Sequence, residues 1–204
     1  MIVLGLTGSI GMGKSTTARL FAEEGAPVWD ADAAVHKLYG PHGGALAGVG
    51  EAFPGVVGET GVDRAALGAR VSADPRLLAR LESVVHPLVL RERLAFLDRC
   101  EADGAKLAVL DVPLLFETGA DQMVDAVAVV SADHEVQTAR VLSRPGMTAE
   151  KFEALKGRQM SDADKRARAD FVIDTDSGVE TARQQVKALI AAVTQPGWTS
   201  LKRV

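Results

Sequence analysis

A glycine-rich segment near the amino terminus most constrains how this chain can fold. Its residues at fixed spacing complete the phosphate-binding pattern G-x-x-x-x-G-K-[ST]: Gly8, Gly13, Lys14 and Ser15. The apolar run over residues 1–7 predicts a buried strand, and the composition of residues 16–24 predicts a helix. A strand, a loop and a helix in this order form the context in which the pattern binds a nucleoside triphosphate.

The loop residues predict where the phosphates of ATP and an accompanying Mg²⁺ bind. Glycines let the backbone turn its N–H groups toward the β-phosphate, and the helix N-terminus adds partial positive charge. Lys14 is expected to reach the β- and γ-phosphates and to act in catalysis, while the Ser15 hydroxyl binds Mg²⁺. The predicted ATP-binding residues of this region are Gly8, Gly11, Met12, Gly13, Lys14, Ser15 and Thr16. The competing interpretation is a glycine-rich turn that matches by chance, which the flanking elements disfavour.

Composition limits the class of protein. The 204 residues suffice for one α/β domain with inserted subdomains, and 47% apolar with 25% charged residues is ordinary for a globular protein. The net charge of −4 argues against a nucleic-acid partner. No apolar stretch approaches the roughly 18 residues that span a membrane. The single cysteine suits a reducing compartment, so a cytoplasmic location is expected.

Four further short apolar runs alternate with helical segments. They cover residues 27–30, 107–112, 126–131 and 171–174. Continuous β-branched runs of this kind are typical of a parallel sheet covered on both faces. The predicted fold class is therefore α/β, a P-loop kinase core with a five-stranded parallel sheet, in one domain over residues 1–204. Ser177 and Glu180 predict a capping box at the start of the last helix.

A block of about residues 40–104 lies between the second and third predicted strands. Leucines and valines from Leu77 to Leu88 recur on one helical face, so the block is predicted to be a mostly helical insertion. Pro87 suits the first turn of a helix, and a new helix is therefore expected to begin there.

Five arginines lie in a predicted helical segment of about residues 134–168, which we call the lid segment. They are Arg140, Arg144, Arg158, Arg166 and Arg168. Phosphoryl transfer needs cations near the γ-phosphate because charge spreads over its oxygens, and arginines on a closing lid supply them. Each arginine alone also fits a solvated helix face. As a group after the fourth strand they favour a lid, in which Arg140 is expected to bind ATP and act in catalysis.

Acidic residues follow two predicted strands, at the edge where parallel α/β sheets bind ligands. Asp30 and Asp32 follow the second strand, and Asp32 is either the N-cap of the next helix or a general base. Asp111 ends its strand and either reaches Mg²⁺ or forms a turn before the nearby proline. His86 precedes a proline and is either a helix-entry residue or a ligand contact.

The order and spacing of several segments resemble the dephospho-CoA kinase family, from Ile2 to about Gly178. The segments that carry the resemblance are residues 6–16, 30–32, 86–87, 112–117 and 169–174. The phosphate loop alone matches many kinases. The Asp-Ala-Asp element at residues 30–32 and the Pro-Leu-Leu-Phe-Glu element at residues 113–117 make the resemblance specific.

The resemblance implies transfer of the ATP γ-phosphoryl group to the ribose 3′-hydroxyl of dephospho-CoA, which gives coenzyme A and ADP. It implies that Asp32 is the base and that the helical insertion binds the acyl-carrier end of the substrate. The substrate-binding residues that it implies are Asp32, His86, Pro113, Leu114, Glu117 and Arg144. Ser15 and Asp111 are the expected Mg²⁺ ligands.

The chain departs from the family pattern at two places. Ser9 and Met12 stand where the family more often has Gly and Ser, at positions that the phosphate pattern leaves open. After Asp174 the chain reads Thr-Asp-Ser-Gly, one residue longer than the usual Asn-Ser-Gly. No adenine contact is therefore carried over to this turn.

Two other functions compete with this interpretation. One is a kinase of another small acceptor, such as a nucleotide or a nucleoside. The other is a nucleotide-driven switch that binds a protein partner, but the chain contains no Asn-Lys-x-Asp element of guanine-specific switches. ADP production that depends on dephospho-CoA rather than on water separates these functions.

Overall fold

The computed structural model describes residues 1–200, which divide into two compact units. The sheet unit comprises residues 1–29 and 100–200, and the helical unit comprises Asp30–Arg99. The strands are β1 (Ile2–Thr7), β2 (Val28–Asp30), β3 (Val57–Gly58), β4 (Gly61–Val62), β5 (Leu107–Asp111), β6 (Ala126–Ser131) and β7 (Phe171–Asp174). The helices are α1 (Lys14–Glu23), α2 (Ala31–Tyr39), α3 (Leu46–Ala52), α4 (Arg64–Ala73), α5 (Pro75–Ala102), α6 (His134–Leu142), α7 (Ala149–Lys156), α8 (Asp162–Arg168) and α9 (Val179–Val193).

The main sheet has five strands in the order β2-β5-β1-β6-β7. Strand β1 lies between β5 and β6 in parallel register, with Leu6 opposite both Asp111 and Ala128. Every residue of β5 and β6 is buried, because helices cover both faces of such a sheet. The α/β fold with a five-stranded parallel sheet is therefore confirmed.

Parallel pairing brings the carboxyl ends of the sheet strands to one edge. Strand β1 ends at Thr7 and leads into the phosphate loop, while β5 ends at Asp111 and β7 at Asp174. Ligands bind at this edge in open α/β sheets. The topology thus brings the phosphate loop, Asp111 and the turn after β7 to the same edge of the sheet, although they are far apart in the sequence.

Helices α1 and α9 pack together in the sheet unit and cover its apolar core. Helix α9 begins after Gly178, which adopts φ +91°, and no side chain caps the helix. The predicted capping box at Ser177 and Glu180 is therefore wrong. Ser177 lies before the cap, and its carbonyl accepts a hydrogen bond from the Thr181 hydroxyl at 3.1 Å.

The helical unit contains α2 to α4, the antiparallel β3–β4 pair and α5 as far as Arg99. Its core is formed by buried apolar side chains: Leu38, Ala45, Val49, Phe53, Val56, Leu67 and Val85. The expectation that a new helix begins at Pro87 is wrong, since α5 runs without a break from Pro75 to Ala102. Apolar residues on both sides of the proline, including Val84 and Leu88, pack against this core. That packing offsets the one helical hydrogen bond that the proline nitrogen lacks.

No helix within residues 1–200 combines the length and the apolar character that a bilayer crossing requires.

Candidate active site

Two glycines determine the path of the phosphate loop. Gly13 adopts φ +93° at the N-cap of α1, a left-handed conformation that residues with a side chain rarely take. Gly8 lies so close to β6 that a Cβ atom there would approach the Val130 carbonyl oxygen to 2.6 Å. The motif glycines therefore allow the chain to leave β1 along its neighbour strand and turn into the helix.

The phosphate-loop lysine is paired with the carboxylate at the end of β5. Lys14 Nζ lies 2.5 Å from Asp111 Oδ1, and the two side chains are 16% and 2% exposed. The register explains this contact, because Asp111 lies opposite Leu6 and α1 begins directly after the loop. Asp111 is thus in direct contact with the lysine of the phosphate loop. Ser15 is exposed in the first turn of the same helix.

The side chain of Met12 packs in the core of the sheet unit and so attaches the phosphate loop to that core. Its side chain is 3% exposed, and its Sδ accepts a hydrogen bond from the Ala132 N–H at 3.1 Å. Its own N–H donates to the Ser9 carbonyl, and its carbonyl accepts from the Thr175 hydroxyl. The predicted nucleotide contact at Met12 thus falls on a residue whose polar backbone atoms already have protein partners.

Arg140 reaches the phosphate loop through Thr175. Its Nη1 donates to Thr175 Oγ1 at 2.8 Å, and its Nη2 donates to the Thr175 carbonyl at 2.7 Å. The structure therefore brings Arg140 of α6 next to the phosphate loop, and its contact with ATP stays a prediction. Thr175 was not among the predicted site residues, although its place directly after β7 is a signal for a ligand-binding edge.

Two glutamines, neither of them predicted from the sequence as a site residue, hold the peptide groups at Ile10 in the phosphate loop. Gln137 of α6 is 2% exposed, and its Nε2 donates to the Ile10 carbonyl at 2.7 Å. The Gln159 side-chain carbonyl accepts from the Ile10 N–H at 3.0 Å. Both glutamines belong to the lid segment, which is thereby connected to the loop at two points.

Glu117 forms an ion pair with a buried lysine of α8. Lys165 is fully buried, and its Nζ lies 2.9 Å from Glu117 Oε1, which also accepts from the Met160 N–H at 2.8 Å. Burial alone raises the pKa of Glu117, but the hydrogen bonds from Lys165 and Met160 outweigh it and lower the pKa below its ordinary value. Glu117 is therefore a carboxylate that fixes the start of α8.

The neighbouring residues of the Pro-Leu-Leu-Phe-Glu element have different surroundings. The Pro113 carbonyl accepts from the Thr7 hydroxyl at 3.0 Å and from Lys165 Nζ at 3.4 Å. These contacts tie the segment after β5 to the end of β1. Leu114 is 40% exposed, so among these residues it offers an apolar surface to a ligand.

The lid arginines do not share one location. Arg168 Nη2 contacts Asp121 Oδ2 at 3.2 Å, and its guanidinium lies over the Phe116 ring at 4.5 Å. Because Arg168 ends α8 shortly before the start of β7, it lies at the amino-terminal edge of the sheet, away from the phosphate loop. The remaining lid arginines are exposed: Arg144, Arg158 and Arg166. Arg140 is the lid arginine that the fold connects to the loop.

The helical unit carries the other candidates. The Asp30 carboxylate caps α2 by accepting from the Ala33 N–H at 2.9 Å. The alternative in which Asp32 is the N-cap is therefore wrong, and Asp32 is an exposed acid in the first turn of α2. His86 is exposed within α5, so the interpretation as a helix-entry residue is also wrong.

Among models of known protein families, one matches most of the chain. The model for dephospho-CoA kinase matches residues 2–181, which cover the helical unit and most of the sheet unit. This chain belongs to the dephospho-CoA kinase family.

Curated members of the family resemble the chain over almost its full length. A dephospho-CoA kinase of Mesorhizobium japonicum is 57% identical over 190 residues, or 93% of this chain and 95% of that protein. One of Rhodopseudomonas palustris is 55% identical over 195 residues, or 96% and 97% of the two chains. Among solved structures, a Thermus thermophilus protein aligns with a TM-score of 0.81 at 37% identity and covers 93% of this chain and 96% of its own.

Proposed function

We propose that this member of the dephospho-CoA kinase family transfers the γ-phosphoryl group of ATP to the ribose 3′-hydroxyl of dephospho-CoA. The products are coenzyme A and ADP, which makes the reaction the last step of coenzyme A biosynthesis. The observation that carries this proposal is a phosphate loop with its lysine oriented by Asp111, in a chain that matches the family over residues 2–181.

The sheet unit supplies the groups that act on ATP. We assign phosphate binding to the backbone and side chains of the loop: Gly8, Gly11, Met12, Gly13, Lys14, Ser15 and Thr16. Lys14 and Arg140 stabilise the charge that develops on the transferred group, since phosphoryl transfer depends on fixed cations around the γ-phosphate. Met12 contributes through its place in the loop, because its side chain lies in the core. The lid segment closes over the nucleotide in this proposal.

Two oxygen ligands, one in the first turn of α1 and one at the end of β5, are suited to a bound Mg²⁺. Magnesium prefers oxygen ligands, and in kinase sites it is held by one or two carboxylates together with the substrate phosphates. Ser15 offers a hydroxyl in the first turn of α1, and Asp111 offers a carboxylate at the end of β5. When bound, the ion neutralises negative charge on the phosphate oxygens.

The acceptor groups are proposed from the helical unit and from the segment after β5. Asp32 accepts the proton of the ribose 3′-hydroxyl, for which an exposed carboxylate at the start of α2 is suited. Because Asp30 already caps the helix, Asp32 is available for this chemistry. We assign substrate binding to Asp32, His86, Pro113, Leu114, Glu117 and Arg144, and binding of the acyl-carrier end of dephospho-CoA to the helical insertion.

The single cysteine supports a cytoplasmic location.

An acceptor panel tests the proposed function. ADP release is measured with ATP and Mg²⁺ in the presence of dephospho-CoA, adenosine, AMP, shikimate or water alone. The proposal expects turnover with dephospho-CoA that exceeds every other reaction by at least about 10²-fold, a ratio that contacts to the whole acceptor can supply. Equal ADP release in water would contradict a kinase, and preference for a nucleoside or nucleotide would assign a different acceptor.

A further inference from the structure

The first residue after β7 is fixed at the phosphate loop by its backbone. Thr175 is 8% exposed, and its N–H donates to the Ser131 carbonyl at 3.0 Å, which continues the β6–β7 pairing beyond the strand. Its side chain packs against the loop, since a Cβ atom placed on Gly13 would lie 3.3 Å from both Cγ2 and Oγ1 of Thr175. The position of the threonine relative to the loop is thus set by the sheet itself.

The Thr175 hydroxyl connects Arg140 to the loop by two hydrogen bonds, accepting one and donating the other. Oγ1 lies 2.8 Å from Arg140 Nη1, 2.9 Å from the Met12 carbonyl oxygen and 3.3 Å from the Ser131 carbonyl oxygen. The guanidinium can only donate, so the hydroxyl accepts from it and has one proton to give. The shorter distance assigns that proton to Met12. A hydroxyl is required at this place because it must accept and donate at once.

This contact orients a backbone donor of the loop. The Met12–Gly13 peptide is trans, so its N–H points opposite to its carbonyl. With the Met12 carbonyl bound to Thr175, the Gly13 N–H points away from Thr175. The same threonine fixes the guanidinium, because the Thr175 carbonyl accepts from Arg140 Nη2 at 2.7 Å. One residue therefore orients both a loop N–H and a cation.

We propose that Thr175 is a positioning residue of the phosphoryl transfer, which couples the Arg140 guanidinium to the Met12–Gly13 peptide of the phosphate loop. The inference rests on the part proposed above for Arg140 in the transfer. In this proposal Thr175 acts through these two groups rather than by contact with the reacting atoms. The chemistry it serves is the stabilisation of charge on the transferred phosphoryl group by donors held in a fixed orientation.

A double-mutant cycle tests the coupling. Thr175→Val keeps the shape and removes the hydroxyl, and it should lower kcat about tenfold while KM for dephospho-CoA stays within about twofold. Thr175→Ser keeps both hydrogen bonds and should remain within about threefold of the parent kcat. In an Arg140→Ala background, Thr175→Val should cost less than about twofold further, because coupled residues are not additive.

Thr138→Val is the matched control. Thr138 lies on α6, and within residues 1–200 its buried hydroxyl has no hydrogen-bond partner, so the same chemical change should leave kcat unchanged. Circular dichroism and melting temperature establish that each variant is folded. If Thr175→Val does not fold, Thr175→Ala takes its place in the cycle.

Two results overturn the inference. One is a Thr175→Val enzyme with the parent kcat, and the other is a cycle in which the losses at Thr175 and Arg140 simply multiply. Failure of the proposed function has a different signature, because the parent enzyme would then release no ADP in response to dephospho-CoA.

Discussion

Several candidate residues of the sheet unit contact specific protein partners, whereas those of the helical unit are exposed. In the sheet unit, Lys14, Glu117 and Arg140 each contact a specific protein partner: Asp111, Lys165 and Thr175. In the helical unit, Asp32 and His86 are exposed side chains on helices. Replacing a side chain that contacts a specific partner removes its catalytic function and also disturbs the position of that partner. Replacing an exposed acid removes its catalytic function alone. The comparison therefore predicts which variants lower stability together with turnover.

The largest effect is expected at the phosphate-loop lysine. Lys14→Ala should lower kcat about 10³-fold, because it removes a cation that acts on the transferred phosphoryl group. It should also lower the melting temperature, since one partner of a largely buried ion pair is lost. Stopped assays and thermal melts on the same preparation measure both quantities.

Lys187→Ala is the matched control for the lysine. Lys187 is 56% exposed and lies 3.6 Å from Glu24, so its loss should leave turnover and melting temperature close to those of the parent. A Lys14→Ala enzyme with the parent melting temperature would show that the Asp111 contact contributes nothing to the fold.

The next largest effect is expected at Asp32 in the helical unit, where kcat should fall while the melting temperature stays nearly the same. Asp32→Asn should lower kcat on the order of 10²-fold, because the amide is not a base. Its melting temperature should stay within a few degrees of the parent, since Asp30 rather than Asp32 caps α2. Asp30→Asn should lose less, because Asn caps a helix as well as Asp does. Normal turnover by Asp32→Asn would move the search for the base to Asp30 or Asp111.

A smaller effect is expected at Arg140. Arg140→Ala should lower kcat by at least about tenfold with a smaller change in KM for dephospho-CoA, the pattern of an interaction made mainly in the transition state. Arg168→Ala offers the contrast within the lid segment, because Arg168 contacts Asp121 at the other edge of the sheet. It should lower stability and leave kcat near that of the parent. A lower melting temperature with unchanged kcat in Arg140→Ala would make Arg140 a structural residue.

The smallest effect concerns the pH dependence of stability. The pKa of Glu117 is lowered in the folded protein, so this carboxylate stabilises the fold above the ordinary glutamate pKa of about 4.3. That stabilisation is lost as the pH falls through the lowered folded value. The difference in free energy of unfolding between the parent and Glu117→Gln should therefore shrink below about pH 4. Urea unfolding between pH 3 and pH 7 measures it, and a pH-independent difference would contradict the assignment.

The fold could be predicted from the sequence because its strands are short, continuous apolar runs and its glycines stand at fixed spacing. The contact between Lys14 and Asp111 was not predicted, although the parallel register accounts for it. The unbroken α5 could not be predicted, because packing around Pro87 overrides the local preference of the proline. Thr175 and Gln137 were missed because their contacts with the loop join distant parts of the chain. A buried lysine at position 165 also carries no local signal, since its partner Glu117 lies in another segment.

Identification of the phosphorylated product tests the central claim most directly. The parent enzyme is incubated with dephospho-CoA, Mg²⁺ and ATP, and the product is examined by ³¹P NMR and mass spectrometry. The account predicts one new phosphomonoester on the ribose 3′-oxygen in equal amount to the ADP formed, and no product from the 3′-deoxy analogue of dephospho-CoA. A phosphoryl group at another oxygen, or ADP formed without a phosphorylated acceptor, would contradict it.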